Sequence, residues 1–175
     1  MKLFHLLALW CLSVMAHAQI VDISKDSLYH RIMDSEADYR VIYVFDESCT
    51  CIMETLPDVL ELLKDKKSAE LFVVCGQPKT HVAGFIEKRR IYCKYYVINP
   101  KKGKWIDFGG YLNKTCSFLE RYFGVDTKKM GASAICILDR QGRIVANTTW
   151  ETSGEEYMRL LETVAGNGLQ VVGDK

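Results

Sequence analysis

Residues 40–51 read RVIYVFDESCTC, and this stretch decides the fold class. From Val41 to Phe45 every residue is β-branched or aromatic, the composition of a buried strand. Asp46 to Cys51 is a short polar turn that holds two cysteines. Met53 to Lys66 follows, with Leu56, Val59, Leu60, Leu62 and Leu63 at the spacing of an amphipathic helix. A buried strand running through a tight turn into a helix is the opening of an α/β layer.

The flanking chain continues the alternation. Upstream, Ser24 to Glu36 places Leu28, Ile32 and Met33 on one helical face, with Ser24 or Asp26 as cap. Downstream, Leu71 to Cys75 (LFVVC) predicts a second central strand, broken by Gly76-Gln77-Pro78. Thr80 to Arg90 reads as a helix and Tyr95 to Ile98 (YYVI) as a third strand, ended by Asn99-Pro100 and a Lys101 to Lys104 turn. Leu112 to Phe123 is helical. Ala134 to Leu138 and Arg143 to Thr148 flank Asp139-Arg140-Gln141-Gly142, a hairpin pattern. Glu155 to Val164 closes the chain as a helix. The order predicts one α/β domain with a partly parallel central sheet. Because the central strands are apolar throughout, helices are expected on both faces. A C-terminal hairpin and helix complete it.

The chain has 175 residues, 49% of them hydrophobic and 26% charged, which suits one globular domain with a short appendage. Lys plus Arg is 23 and Asp plus Glu is 22, so nothing in the charge argues for nucleic acid. The appendage is N-terminal. Met1-Lys2 is a positive start, Leu3 to Met15 is mostly apolar, and Ala16-His17-Ala18 puts small residues where a signal peptidase reads them. Residues 1–18 are therefore expected to be a cleaved signal peptide and 19–175 the domain. The apolar run is too short for a membrane helix, and no other run is long enough. Cleavage removes Lys2 and no acid, so 23 basic groups become 22 against 22 acidic. The expectation is a periplasmic or secreted, soluble, monomeric protein. It would carry six cysteines into an oxidising compartment: Cys49, Cys51, Cys75, Cys93, Cys116 and Cys136.

Cys49 and Cys51 stand where a strand hands over to a helix. The N–H groups and dipole of a helix N-terminus stabilise a thiolate and raise its reactivity. Two such cysteines can form a disulfide and exchange it with a partner thiol; the small ring closed across one residue would favour an oxidising pair. Asp46 and Glu47 act against a thiolate, and a fixed disulfide or two inert thiols is the competing reading. A third reading is copper. Cys49, Cys51 and Met53 offer three soft sulfurs within five residues, with His81 as a possible fourth ligand. No second cysteine pair at finger spacing exists for structural zinc. The primary reading assigns no metal and no cofactor.

With these residues in place, the chain resembles the extracytoplasmic thioredoxin-like proteins over roughly residues 22–168. The resemblance lies in RVIYVF, the cysteine turn, Glu54 and Pro57 of the next helix, Tyr96-Val97-Ile98-Asn99, Tyr122-Phe123-Gly124-Val125 and Ile137-Leu138-Asp139-Arg140-Gln141-Gly142-Arg143-Ile144-Val145. It implies a thioredoxin-like fold and thiol–disulfide exchange with cysteines of exported proteins, a membrane or periplasmic partner resetting the pair. Cys49 and Cys51 would be catalytic, Cys49 attacking and Cys51 resolving, while Ser48 and Thr50 shape the turn. The chain departs from the family twice. The turn is Ser48-Cys49-Thr50-Cys51 instead of two cysteines two residues apart, so either Ser48 or Cys49 takes the nucleophile's place. The family's cis-proline position falls at or near Ser133, and no proline follows Pro100. The Ala132–Ser133 bond is expected to be trans, with Ala132 and Ser133 in the place of the loop that binds substrate backbone. A non-catalytic thioredoxin-like binding module that uses this cleft for a partner or copper is the alternative.

The remaining cysteines read as structural. Cys75 and Cys136 lie in apolar strands, as small core residues do. Cys93 and Cys116 are either paired or singly buried. His30 is expected on the surface, and His81 either on the surface or facing the cysteine turn.

Overall fold

The computed structural model describes residues 18–47, 49, 52–98, 108–131 and 133–166. The described residues form six strands and five helices in the order β1 (Gln19–Ile23), α1 (Lys25–Met33), β2 (Tyr39–Phe45), α2 (Ile52–Leu63), β3 (Ala69–Cys75), α3 (Lys79–Arg89), β4 (Lys94–Ile98), α4 (Phe108–Phe123), β5 (Ile135–Asp139), β6 (Ile144–Asn147) and α5 (Gly154–Gly166). One sheet holds all six strands in the order β1-β4-β3-β2-β5-β6. The first four are mutually parallel; β5 runs antiparallel to β2 and β6 antiparallel to β5.

The predicted α/β architecture is present, including helices on both faces. Along β2, Val41, Tyr43 and Phe45 enter one core, and Ile42 and Val44 the other. That is the period-two alternation of a strand buried on both sides. The first core is closed by Leu56 and Val59 of α2, Val82 and Phe85 of α3, and Leu161 and Val164 of α5. The second is closed by Leu28 and Ile32 of α1 and Phe118 and Leu119 of α4.

Local signals set several ends. Ser24 caps α1, its Oγ accepting from the Ser27 N–H at 3.1 Å. At the other end of α1, the buried Arg40 guanidinium donates to the carbonyls of Ile32, Met33 and Ser35, and also to Asp139 across the sheet. One cation thus gathers the carbonyls at the end of α1, adding to the bond that the Ser35 N–H makes to the Ile32 carbonyl. The β5–β6 turn closes on Gly142 at φ +79°, with Asp139 Oδ1 accepting from the N–H groups of Gln141 and Arg143.

Two findings differ from the sequence reading. Gln19–Ile23 is a strand, although five residues of mixed character announce none. It pairs in parallel with β4 as a half-exposed edge, so its conformation comes from a partner far along the chain. Helix α4 includes Phe108 to Tyr111, ahead of the expected Leu112. Among the other expectations, Cys75 and Cys136 are buried and His30 is exposed. Cys93 and Cys116 are free, so the pairing reading does not hold. Nearly all of the predicted signal peptide and the Lys101 to Lys104 turn lie outside the described residues. No described helix is long and apolar enough to cross a membrane.

Candidate functional site

Strand β2 ends at the centre of the sheet, and the chain beyond it is held by side chains. Asp46 is buried, its carbonyl accepting from the Cys49 N–H at 3.1 Å. Asp46 Oδ1 accepts from Gln77 Nε2 at 3.2 Å, and Gln77 Oε1 accepts from the Glu47 N–H at 3.0 Å. Glu47 Oε1 then meets His81 Nδ1 at 2.8 Å. Gln77 lies just after β3 and His81 in the first turn of α3, so the neighbouring β–α connection holds Asp46 and Glu47 just beyond β2. A buried carboxylate and a buried amide satisfy one another.

Cys49 is half-buried and disulfide-bonded. Its partner lies outside the described residues. The other described cysteines, Cys75, Cys93, Cys116 and Cys136, are free. Burial pushes the thiols of Cys75, Cys93 and Cys136 up to about 12, and for Cys75 the carboxylates of Asp46 and Glu47 act in the same direction. Such thiols stay protonated and unreactive near neutral pH.

Cys49 opens onto a cleft of about 470 Å³. Its floor is a group of hydroxyls. Tyr43 Oη lies 2.8 Å from Thr55 Oγ1, and Tyr157 Oη donates to the Ser133 carbonyl at 3.2 Å. Burial raises the Tyr43 phenol, opposed by hydrogen bonds from Ser133, Thr55 and Tyr157, and burial raises Tyr157 as well. Both phenols stay neutral near pH 7. Ser133 adopts φ +73°, a left-handed conformation uncommon for a residue with a Cβ. It is held there by its own N–H, which donates to the Val44 carbonyl at 2.8 Å, and by the neighbouring bond from Val44 N–H to the Ala134 carbonyl, also 2.8 Å. Trp150, 73% exposed, forms part of the wall.

No family model and no curated protein matches the chain. Solved structures do. It is similar to the thioredoxin domain of a thiol-disulfide oxidoreductase from Bacteroides vulgatus, at 18% identity and TM-score 0.51, covering 75% of this chain and 82% of that one. It is similar to a thiol:disulfide interchange protein from Bacteroides sp., at 19% identity and TM-score 0.52, covering 79% and 80%. A thiol-disulfide isomerase from Corynebacterium glutamicum matches at 17% identity and TM-score 0.51, over 76% and 84%.

The fold is thioredoxin-like. Within this fold Cys49 and Ser133, more than eighty residues apart in the chain, line one cleft. Ser48, Thr50, Cys51 and Ala132 lie outside the described residues, and so does the Ala132–Ser133 bond. His81 is exposed and at the same time reaches the start of the cysteine turn through Glu47, so its two sequence readings hold together. Among the described residues, no group of three or more His, Cys, Asp or Glu could hold a metal ion. Sequence reasoning missed Thr55, Tyr157 and Trp150. Thr55 follows Cys51 by four residues, one helical turn, and that spacing was a usable signal. Tyr157 and Trp150 come from the far end of the chain, and nothing local marks them.

Proposed function

We propose that this chain is an exported thiol–disulfide oxidoreductase that exchanges disulfides with cysteines of other exported proteins. Cys49 is the attacking sulfur and Cys51 its disulfide partner and resolving thiol. Ser48 and Thr50 shape the turn, and Ala132 and Ser133 border the bound substrate backbone. The protein acts as a periplasmic or secreted monomer once residues 1–18 are removed, with a second redox protein resetting the pair.

One observation carries this reading: Cys49 is disulfide-bonded and half-exposed at the end of the central strand, whereas the other described cysteines are free. The similarity to a thiol-disulfide oxidoreductase, a thiol-disulfide isomerase and a thiol:disulfide interchange protein supports it. The test is the redox state of Cys49 and Cys51 in mature protein, read by alkylation and peptide mass across glutathione buffers. A reversible 49–51 disulfide with a potential above about −250 mV is expected of a labile, exchanging couple. A bond that no glutathione buffer opens, or thiols that never pair, refutes the oxidoreductase and leaves the non-catalytic binding module.

A further inference from the structure

We propose that Gln77 is a positioning residue for the Cys49 disulfide. By gripping Asp46 and Glu47 it keeps the start of the cysteine turn in one shape in both redox states, and so makes the disulfide harder to reduce. The proposal rests on the exchange reading above and adds what sets the poise of the pair.

The grip comes from the sheet register. Strands β2 and β3 run parallel with Phe45 opposite Cys75, so the chain leaves them side by side, into Asp46-Glu47 and into Gly76-Gln77. Gln77 is only 2% exposed, and both ends of its amide are engaged. Its Nε2 donates to Asp46 Oδ1 at 3.2 Å, and its Oε1 accepts from the Glu47 N–H at 3.0 Å. Only this orientation of the amide serves, since turning it over would set donor against donor and acceptor against acceptor. Holding the side chain of one residue and the main-chain N–H of the next restrains the backbone torsions between them.

Gln77 is itself held. Pro78 restricts the residue before it toward extended backbone. The Pro78 carbonyl also starts α3, accepting from the His81 N–H at 2.9 Å and the Val82 N–H at 3.3 Å. His81 Nδ1 lies 2.8 Å from Glu47 Oε1, a second tie from α3 to the same residue. On the far side of the grip, the Asp46 carbonyl accepts from the Cys49 N–H at 3.1 Å, closing a four-residue turn. Two hydrogen bonds and one residue therefore link Gln77 to the backbone of the disulfide-bonded cysteine.

A disulfide and a hydrogen-bonded clamp on one turn restrict the same freedom. With the clamp in place, reduction releases little motion, and the thiols stay arranged to re-form the bond. Without it, the reduced turn gains freedom that the oxidised turn, tied through sulfur, does not. Losing the clamp therefore favours the reduced state and raises the potential. The reaction that reads this is reduction by glutathione. One glutathione thiolate attacks a sulfur of the protein disulfide, and the other protein sulfur leaves with the electron pair. A second glutathione thiolate attacks the glutathione sulfur of the mixed disulfide and displaces the remaining protein thiolate. Two glutathiones become one glutathione disulfide, the protein disulfide gains two electrons, and the two protons released end on the protein thiols.

The test compares mature wild type, Gln77→Met and Cys136→Ala in glutathione and in dithiothreitol redox buffers, read by alkylation and mass spectrometry. Gln77→Met keeps the length of the side chain and loses both hydrogen bonds. Its equilibrium constant for reduction should rise about tenfold, the freedom of roughly one residue's backbone, which is about 30 mV for a two-electron couple. Cys136→Ala weakens the sheet away from the turn and should leave the potential in place. A Gln77→Met potential equal to or below the wild type, or the two variants moving alike, overturns the proposal. Where Gln77→Met does not fold, the wild type decides. Linkage is reciprocal, so reducing the wild-type disulfide should speed hydrogen exchange at the Glu47 N–H about tenfold, and unchanged protection overturns the clamp. The two readings fail separately. A disulfide that dithiothreitol opens and glutathione does not refutes exchange, while the Gln77 shift is still read in dithiothreitol. A disulfide that neither opens refutes both.

Discussion

Ser133 shows how one residue turns a general fold into a particular one. The family resemblance puts a cis-proline at or near this position, but the structure holds a serine at φ +73° whose N–H is bonded to Val44. Proline fixes φ near −65° and has no N–H. Ser133→Pro therefore cannot restore a family feature here. It should destabilise the protein by about 3 kcal/mol or more, combining backbone conflict with a lost sheet-end hydrogen bond. Urea unfolding measures this directly, and a variant as stable as the wild type would show that the backbone re-forms around the ring. The carbonyl of Ser133 also accepts from Tyr157, so the same change should disturb the cleft floor.

Among the elements, the β5–β6 hairpin was the most legible. Its Asp-Arg-Gln-Gly turn appears where the sequence places it, with Gly142 at φ +79°. A Cβ on Gly142 would stand 2.9 Å from Met33 Sδ at the end of α1. The methionine end can swing away, so the cost of Gly142→Ala comes mainly from the left-handed backbone, about 1 kcal/mol. Thermal unfolding should register a fall of several degrees for a domain of this size. An unchanged midpoint would mean that the turn has moved to a different φ. Strand β1 is the opposite case. Its five residues carry no strong strand pattern, and only the parallel register with Lys94 to Ile98 makes it one. The candidate site divides in the same way. Cys49 and its turn were visible as residues, and Ser133 through the resemblance. Tyr157 and Trp150 belong to other elements, so no local pattern could attach them to Cys49.

For the whole molecule, the buried thiols couple stability to pH. Cys75 and Cys136 ionise near 9 in an unfolded chain, but burial pushes both up to about 12 in the fold. Below pH 9 both states hold these protons and the contribution is complete. Between pH 9 and 12 the unfolded chain releases them and the native state does not, so stability falls as pH rises. The limiting slope is about 1.4 kcal/mol per pH unit for each thiol. Urea unfolding at a series of pH values from 7 to 11 should show a plateau and then this decline. Cys136→Ala should be less stable throughout, from the cavity it opens, yet show a shallower alkaline slope. A slope identical to the wild type would mean that Cys136 ionises in the fold as readily as outside it.

The sequence by itself determined the alternation of strands and helices, the two-faced burial of the central strands, the hairpin and the place of the cysteine turn. Each depends on short-range features that neighbouring residues carry: hydrophobic period, β-branching, turn chemistry and caps. The tertiary structure alone decided that Gln19–Ile23 is a strand and that Arg40 closes the end of α1. It also decided that Glu47 engages His81, and that Thr55, Ser133, Trp150 and Tyr157 meet around Cys49. These facts depend on which distant segments pack together, and that is set by burial of the two apolar faces of the sheet, a property of the whole chain that no local stretch encodes.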